Sequence, residues 1–361
     1  MKYDRRQVMR GIGGTLALSV VSRSVAASQD AIVSAQPKLR IGQIGVGHPH
    51  ASKLAVYRSS PDYEVVGVVE PNAELRKQAE TLELYRGLTW MTEEQLLNTS
   101  GLQAVLVETQ VKDLLNVAEA CVSVGKHVHV DKPAGESLEQ FARILDSAAK
   151  QKLLVQMGYM YRYNPAVVLL RDFLKRGWLG DVFEVHTVIG KVVDPASRLE
   201  LAEFPGGIMF ELGCHVIDLV VGIMGKPSNV TAFPRKSGAD NDSLMDNMLA
   251  VFEYPAATAT VKASAIEVDG GLRRHLVVCG TEGTFHIQPL DNPTARVTLS
   301  KPRNAYAKGS QDLTFPKYVR YIEDAADMAR IIRGEKQSDF SAEHDLNVQA
   351  SLLQACGLKV S

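Results

Sequence analysis

The sequence lacks several features that would each have pointed to a function. Charge is balanced, with 40 Lys and Arg against 41 Asp and Glu and a formal net charge of -1. No block of basic residues offers a stripe for nucleic acid, so DNA or RNA binding is excluded as a working expectation. Cysteine is scarce: Cys121, Cys214, Cys279 and Cys356 are the four, and none has CxxC or other metal-type spacing. Cys121 falls with Leu114, Val117, Ala118 and Val122 on one apolar helical face, which reads as a buried thiol. An oxidising compartment would permit a disulfide, but spacing cannot pair these four. Beyond the N-terminus there is no apolar run long enough to cross a bilayer, no internal repeat and no low-complexity tract. What remains is an ordinary globular composition, 45% hydrophobic and 22% charged over 361 residues, long enough for two domains.

The N-terminus is distinctive. Asp4-Arg5-Arg6-Gln7-Val8-Met9-Arg10 precedes an apolar run from Gly11 to Val21, and Ser24-Val25-Ala26-Ala27 offers small residues for cleavage. A basic start, a short apolar middle and a small-residue end make a targeting peptide, and the arginine pair gives it the layout of a twin-arginine signal. An ordinary secretory signal or an uncleaved anchor are the alternatives. The expectation is a leader over residues 1–27, a linker over 28–37, and a soluble protein exported to the periplasm by the twin-arginine machinery.

From Leu39 the pattern alternates. Apolar runs at Leu39 to Ile44, Glu64 to Val69, Gln103 to Val107, His127 to Val130 and Leu153 to Met157 read as strands. Between them lie helix-length segments: His50 to Ser59, one opened by the capping box Thr92-Glu93-Glu94-Gln95, Val111 to Val124 stopped by Gly125, and Ser137 to Lys150. Alternating strands and helices predict a parallel sheet with right-handed crossovers. After about Gly158, β-branched runs at Val182 to Val193, Met248 to Tyr254 and Thr258 to Ala263 suit a large, open, mostly antiparallel sheet, and helices at Pro316 to Arg333 and Ala342 to Leu353 close the chain. The fold class is α/β: a doubly wound Rossmann domain at 38–157, then an α/β domain at 158–361, with a ligand cleft between them.

Gly45 and Gly47 end the first strand in a glycine turn before Pro49 and a helix, where a pyrophosphate could approach the backbone. His48 and His50 lie in the same turn, and His50 replaces the third glycine of G-x-G-x-x-G. Glu70 ends the second strand, where a carboxylate can accept from ribose hydroxyls and repel a 2′-phosphate. That favours NAD over NADP; the alternative is a solvated strand-end charge. At the end of a later strand, Asp131-Lys132-Pro133 places a lysine on the carboxyl edge of the sheet, with Pro133 fixing the backbone. In Gly206-Gly207-Ile208-Met209-Phe210-Glu211-Leu212-Gly213-Cys214-His215-Val216-Ile217-Asp218, helical spacing sets Glu211, His215 and Asp218 on nearly one face. A helix-surface charge pair is the plain alternative. Glu211 and His215 lack the further His/Cys ligands a metal site would need, so none is expected.

From Leu39 to the C-terminus these residues resemble the glucose-fructose oxidoreductase/inositol dehydrogenase (Gfo/Idh/MocA) family. The resemblance rests on the glycine turn, Asp131-Lys132-Pro133 where the family usually has Glu-Lys-Pro, Gly158-Tyr159-Met160-Tyr161-Arg162-Tyr163-Asn164-Pro165, the Gly206 to Asp218 segment, and Gly280-Thr281-Glu282-Gly283-Thr284. It implies a nicotinamide-dependent oxidoreductase in which Lys132 contacts cofactor and substrate, His215 is the general acid/base, and Glu211 assists where the family commonly has Asp. The family's Pro/His-containing turn after the fourth strand is here Glu108-Thr109-Gln110-Val111, so Glu108 and Thr109 join the expected cofactor contacts, while Tyr161, Arg162, Asn164 and Asp218 are expected to contact the substrate, with packing or a domain hinge the alternative for the first three and a structural partner or cap for Asp218. Hydride loss from a carbinol carbon needs a base for the hydroxyl proton, and histidine suits it. The substrate would be a sugar or cyclitol, and a homodimer or homotetramer could form through the open sheet. Two other readings use the same residues: an NAD-dependent glycoside hydrolase or lyase working by transient oxidation and elimination, and a non-catalytic sugar- or nucleotide-binding protein.

Overall fold

A computed structural model describes residues 36–239 and 241–360; the expected leader lies outside the described residues. Six short strands form the first sheet: β1 Leu39–Ile44, β2 Tyr63–Val69, β3 Trp90–Met91, β4 Leu102–Val107, β5 His127–Val130 and β6 Val155–Met157. Their order is β3-β2-β1-β4-β5-β6, and every pairing is parallel. Order reverses between β1 and β4, so a crevice opens at their carboxyl ends. The strands read as apolar runs because helices cover both faces of the sheet.

The helix starts follow local chemistry. Asn72 accepts from the amides of Glu74 and Leu75, Thr92 and Gln95 close a capping box, and Ser137 accepts from Gln140 ahead of the helix Leu138–Lys150. Each satisfies an amide that the first helical turn leaves unpaired.

The second sheet has eight strands: β7 Val182–Gly190, β8 Asn229–Arg235, β9 Asn247–Tyr254, β10 Ala257–Ser264, β11 His275–Gly280, β12 Gly283–Ile287, β13 Thr294–Leu299 and β14 Gly309–Thr314. Their order is β14-β13-β12-β11-β7-β10-β9-β8. Only β7 and β10 run parallel; the other pairs are antiparallel. Burial alternates along β9 and β13, the period of a sheet packed on one face and open on the other. Helices Pro165–Lys175, Cys214–Met224 and Ala342–Ala355 pack on the covered face, where Leu170, Phe173, Val220, Phe252, Phe285 and Leu352 are buried in one cluster.

The chain then returns to the first sheet. Helix Ile322–Ile332 buries Ala325, Met328 and Ala329 against Tyr57 and Tyr63, and the Tyr63 hydroxyl donates to the Ala325 carbonyl at 2.6 Å. A boundary at residue 158 therefore divides the sheets but not the layers, and Pro37–Ser361 cluster as one compact unit. The helix starts at Ile322 rather than Pro316, because Tyr321 sits at φ +73°, a conformation rare for a bulky side chain.

Candidate active site

The carboxyl edge of the parallel sheet gathers Gly45, Glu70, Glu108, Asp131 and Lys132, each just beyond the last residue or two of its strand. Gly45 has φ +91°, and a Cβ there would lie 2.4 Å from the Thr109 amide nitrogen, so only glycine fits. A Cβ on Gly47 would meet the Leu75 and Gln110 side chains at 3.2 and 3.3 Å. Both Glu70 oxygens fix this turn: Oε2 accepts from the Val46 amide at 2.8 Å and Oε1 from the Asn72 amide at 2.9 Å. A carboxylate offers about four acceptor sites, so capacity remains for a ligand's hydroxyls.

Two cavities meet over the turn and share Gly47, Gln110 and Lys112. One, of about 440 Å³, is lined by Glu70, Asn72 and Thr109. The other, of about 320 Å³, is lined by His48, Lys132, Lys191, Phe204 and Glu211. The backbone cradle that a Cβ would fill, with a carboxylate at one end and a lysine at the other, fits a dinucleotide.

Lys132 precedes a cis peptide to Pro133 and is buried. Its ammonium donates to the Glu211 carbonyl at 2.8 Å and to Glu211 Oε1 at 3.3 Å. The carbonyl is available because Met209–Gly213 is a π-helical turn leading into the α-helix Cys214–Met224, and such turns leave carbonyls out of the α ladder. Burial would lower the Lys132 pKa, yet the Glu211 carboxylate raises it above its ordinary value. Burial likewise opposes Glu211, but Lys132 and then Lys191, 3.7 Å away, hold it down at about 2. His215 opens the α-helix. Burial, reinforced by Lys132 and His50, holds it well below its usual value, so it is a neutral imidazole, and among the described residues its Nδ1 has no hydrogen-bond partner.

Beneath this pair lies a polar cluster that sequence reasoning missed in part. Buried Lys53 reaches Glu108 Oε1 at 3.0 Å and is also paired with Asp131. It donates to His129 Nε2 at 2.8 Å, while His129 Nδ1 donates to Gln156 Oε1 at 2.9 Å. His50 Nδ1 donates to Asp131 Oδ1 at 3.1 Å, and the Lys132 amide donates to the same oxygen at 2.7 Å. His48 Nδ1 accepts from the His50 amide at 3.2 Å, leaving Nε2 to donate to the Lys132 carbonyl at 3.1 Å. Burial drops His48 and His129 to about 3, so both are neutral. Burial opposes the Asp131 charge, but His48, Lys53 and His50 hold its carboxyl well below the ordinary range; burial with Asp131 alongside lifts Glu108 well above it. The Tyr321 ring lies 5.1 Å from the Lys53 ammonium. Lys53 is three residues from His50 and His129 alternates inward on β5, signals that could have found both; Tyr321 is far off in sequence and carries none.

Residues 39–159 match the oxidoreductase family domain with an NAD-binding Rossmann fold (GFO_IDH_MocA), and residues 167–286 match the GFO/IDH/MocA C-terminal domain. The chain belongs to the Gfo/Idh/MocA family. Among its relatives, inositol 2-dehydrogenase of Salmonella typhimurium is 25% identical over 79% of this chain and 82% of its own length. Trans-1,2-dihydrobenzene-1,2-diol dehydrogenase of Xenopus tropicalis is 23% identical over 66% of this chain and 72% of its own; the Xenopus laevis counterpart matches over 56% of its own length. Two solved structures share the fold: UDP-N-acetylglucosamine 3-dehydrogenase of Acidithiobacillus ferrooxidans, TM-score 0.73 at 20% identity over 89% of this chain and 97% of that one, and GenD2 of gentamicin A biosynthesis in complex with NAD, TM-score 0.74 at 18% identity over 90% and 95%.

Within this Gfo/Idh/MocA member several of the expected ligand contacts have protein partners. Arg162 donates to Asp218 at 2.7 Å and to Asp345 at 2.5 Å, and His344 lies 3.0 Å from Asp218 Oδ1. Asp218 and Arg162 are therefore held in a buried ion-pair network with Asp345. Asn164 caps helix Pro165–Lys175 and donates to the Leu290 carbonyl at 2.7 Å. Tyr161 does border the site, its ring 6.0 Å from His215, but its hydroxyl donates to Asp291 at 3.1 Å. Glu108 and Asp131 are fully buried beneath the trough and line neither cavity.

Proposed function

We propose that this oxidoreductase is an NAD-dependent dehydrogenase that oxidises a carbinol carbon of a sugar, cyclitol or related polyol. The observation that carries the reading is the Lys132–Glu211 pair beside neutral His215, at the edge where the glycine turn and Glu70 define a dinucleotide trough. The names of relatives acting on inositol, a ring diol and a nucleotide sugar support the substrate class.

Gly45, Gly47, Glu70 and Thr109 would hold the cofactor, and a nicotinamide bound there would supply the hydride acceptor. The rest falls to the chain. Lys132, charged because Glu211 offsets its burial, steadies a developing alkoxide electrostatically. His215, kept neutral, accepts the hydroxyl proton. Glu211 holds the ammonium in place through two acceptors. Glu70, already fixed by two amides, sets a negative charge against a 2′-phosphate and favours NAD over NADP.

Free NAD is scarce outside the cytoplasm, so a chain exported folded through a twin-arginine pathway would carry its nicotinamide and keep it through turnover. The open face of the second sheet would pair subunits into a dimer or tetramer. The test combines Lys132→Met and His215→Asn with a calorimetric NAD titration. Both variants should bind NAD as the parent does and lose turnover of ring polyols; near-parental rates in both would overturn the assignment.

A further inference from the structure

His50 breaks the glycine fingerprint, yet the fold carries it into the reactive cluster. Its Nδ1–H is committed to Asp131 at 3.1 Å. Asp131 is in turn held by Lys53 and by the Lys132 amide. Among the described residues no hydrogen bond engages His50 Nε2, and the side chain is 16% exposed. Its ring centroid lies 5.8 Å from that of His215. The two imidazoles differ in one respect: among the described residues no carboxylate is bonded to His215, and protonating it would set a buried cation beside Lys132, whereas His50 has Asp131 to balance the charge.

We propose that His50 is a second proton-transfer residue of this site, linking the reacting hydroxyl and His215 to solvent through Nε2 while Asp131 fixes Nδ1–H. This rests on the dehydrogenase reading. In the step proposed, the substrate O–H bond breaks and its proton goes to His215, then to His50, where an Nε2–H bond forms. The resulting imidazolium is neutralised by Asp131 and releases the same proton to water at the exposed edge. The groups facing His50 are Asp131 and Lys132 beyond β5, Lys53 and His48 on its own segment, Tyr321 before the returning helix, and His215 and Glu211 across the site. Burial lowers its pKa while Asp131 partly restores it.

The test has two arms. Carbethoxylation of the purified protein, mapped by mass spectrometry, should label His50 through its free Nε2, and added NAD should shield it. His50→Gln should bind NAD as the parent does, lose turnover of the probe myo-inositol by about a hundredfold, and recover part of it in imidazole buffer. An unlabelled His50, or a His50→Gln variant with parental turnover or no imidazole rescue, overturns the proposal. Labelling without NAD protection, or a parent inert towards every cyclitol, sugar and nucleotide sugar offered, counts against the dehydrogenase reading, and labelling of His50 still decides its role.

Discussion

Replacing Glu211 by glutamine removes the carboxylate facing Lys132 while keeping its shape and the backbone carbonyl that Lys132 also uses. In the parent that carboxyl sits at about 2 against an ordinary 4.5, and the side chain is 16% exposed, so solvent screens the pair weakly. The difference corresponds to roughly 3 kcal/mol of stability at pH 7. Because the folded value is depressed, this contribution is fully present above the unfolded value near 4.5 and is lost as pH falls towards 2. About half should remain at pH 3. Urea denaturation of Glu211→Gln should therefore show a loss of roughly 3 kcal/mol at pH 7 that shrinks to about half at pH 3. Leaving a buried ammonium without its partner is the costly part, so the double variant Lys132→Met/Glu211→Gln should regain most of the stability. Equal penalties at both pH values, or strictly additive single and double variants, would refute the claim that these two charges hold each other.

Gly45→Ala must relieve a 2.4 Å approach to the Thr109 amide at φ +91°; thermal melting should show a loss of about 2 kcal/mol or more, and calorimetry no measurable NAD binding. Glu70→Gln keeps the oxygen that can accept from Val46 or Asn72 but not the charge, so the preference for NAD over NADP should fall about tenfold in paired titrations; an unchanged ratio would show that Glu70 does not face the ribose. Arg162→Met leaves Asp218 and Asp345 buried without their cation, and should cost about 3 to 5 kcal/mol in denaturation with NAD affinity unaltered; a KM change at parental stability would return Arg162 to the substrate.

The first sheet was legible because its parallel strands, covered on both faces, are short runs rich in apolar and β-branched residues, and β5 falls at His127–Val130 as read. Caps were legible for the same local reason: Thr92 and Gln95 need only three residues to find each other. What the sequence could not show was side-chain destination. Equal helical spacing put Glu211, His215 and Asp218 on one face, but the π turn before Cys214 shifts Glu211 relative to the rest, and Asp218 finds Arg162, 56 residues earlier. The returning helix was visible as a helix, whereas its docking on Tyr57 and Tyr63 depends on contacts across more than 250 residues. Long-range electrostatics decided the rest. Asp131 was placed at the right edge, yet its pairing with Lys53 joins residues 78 apart in the chain.

The most direct test of the account is hydride transfer itself. The purified protein, supplied with NAD and challenged with myo-inositol, other cyclitols, free sugars and nucleotide sugars, should develop nicotinamide absorbance near 340 nm with at least one of them. The matching keto product should appear by mass spectrometry, and both signals should vanish in His215→Asn while NAD remains bound. Cleavage or binding of those compounds with no nicotinamide reduction at any stage, including the first milliseconds after mixing, would contradict it.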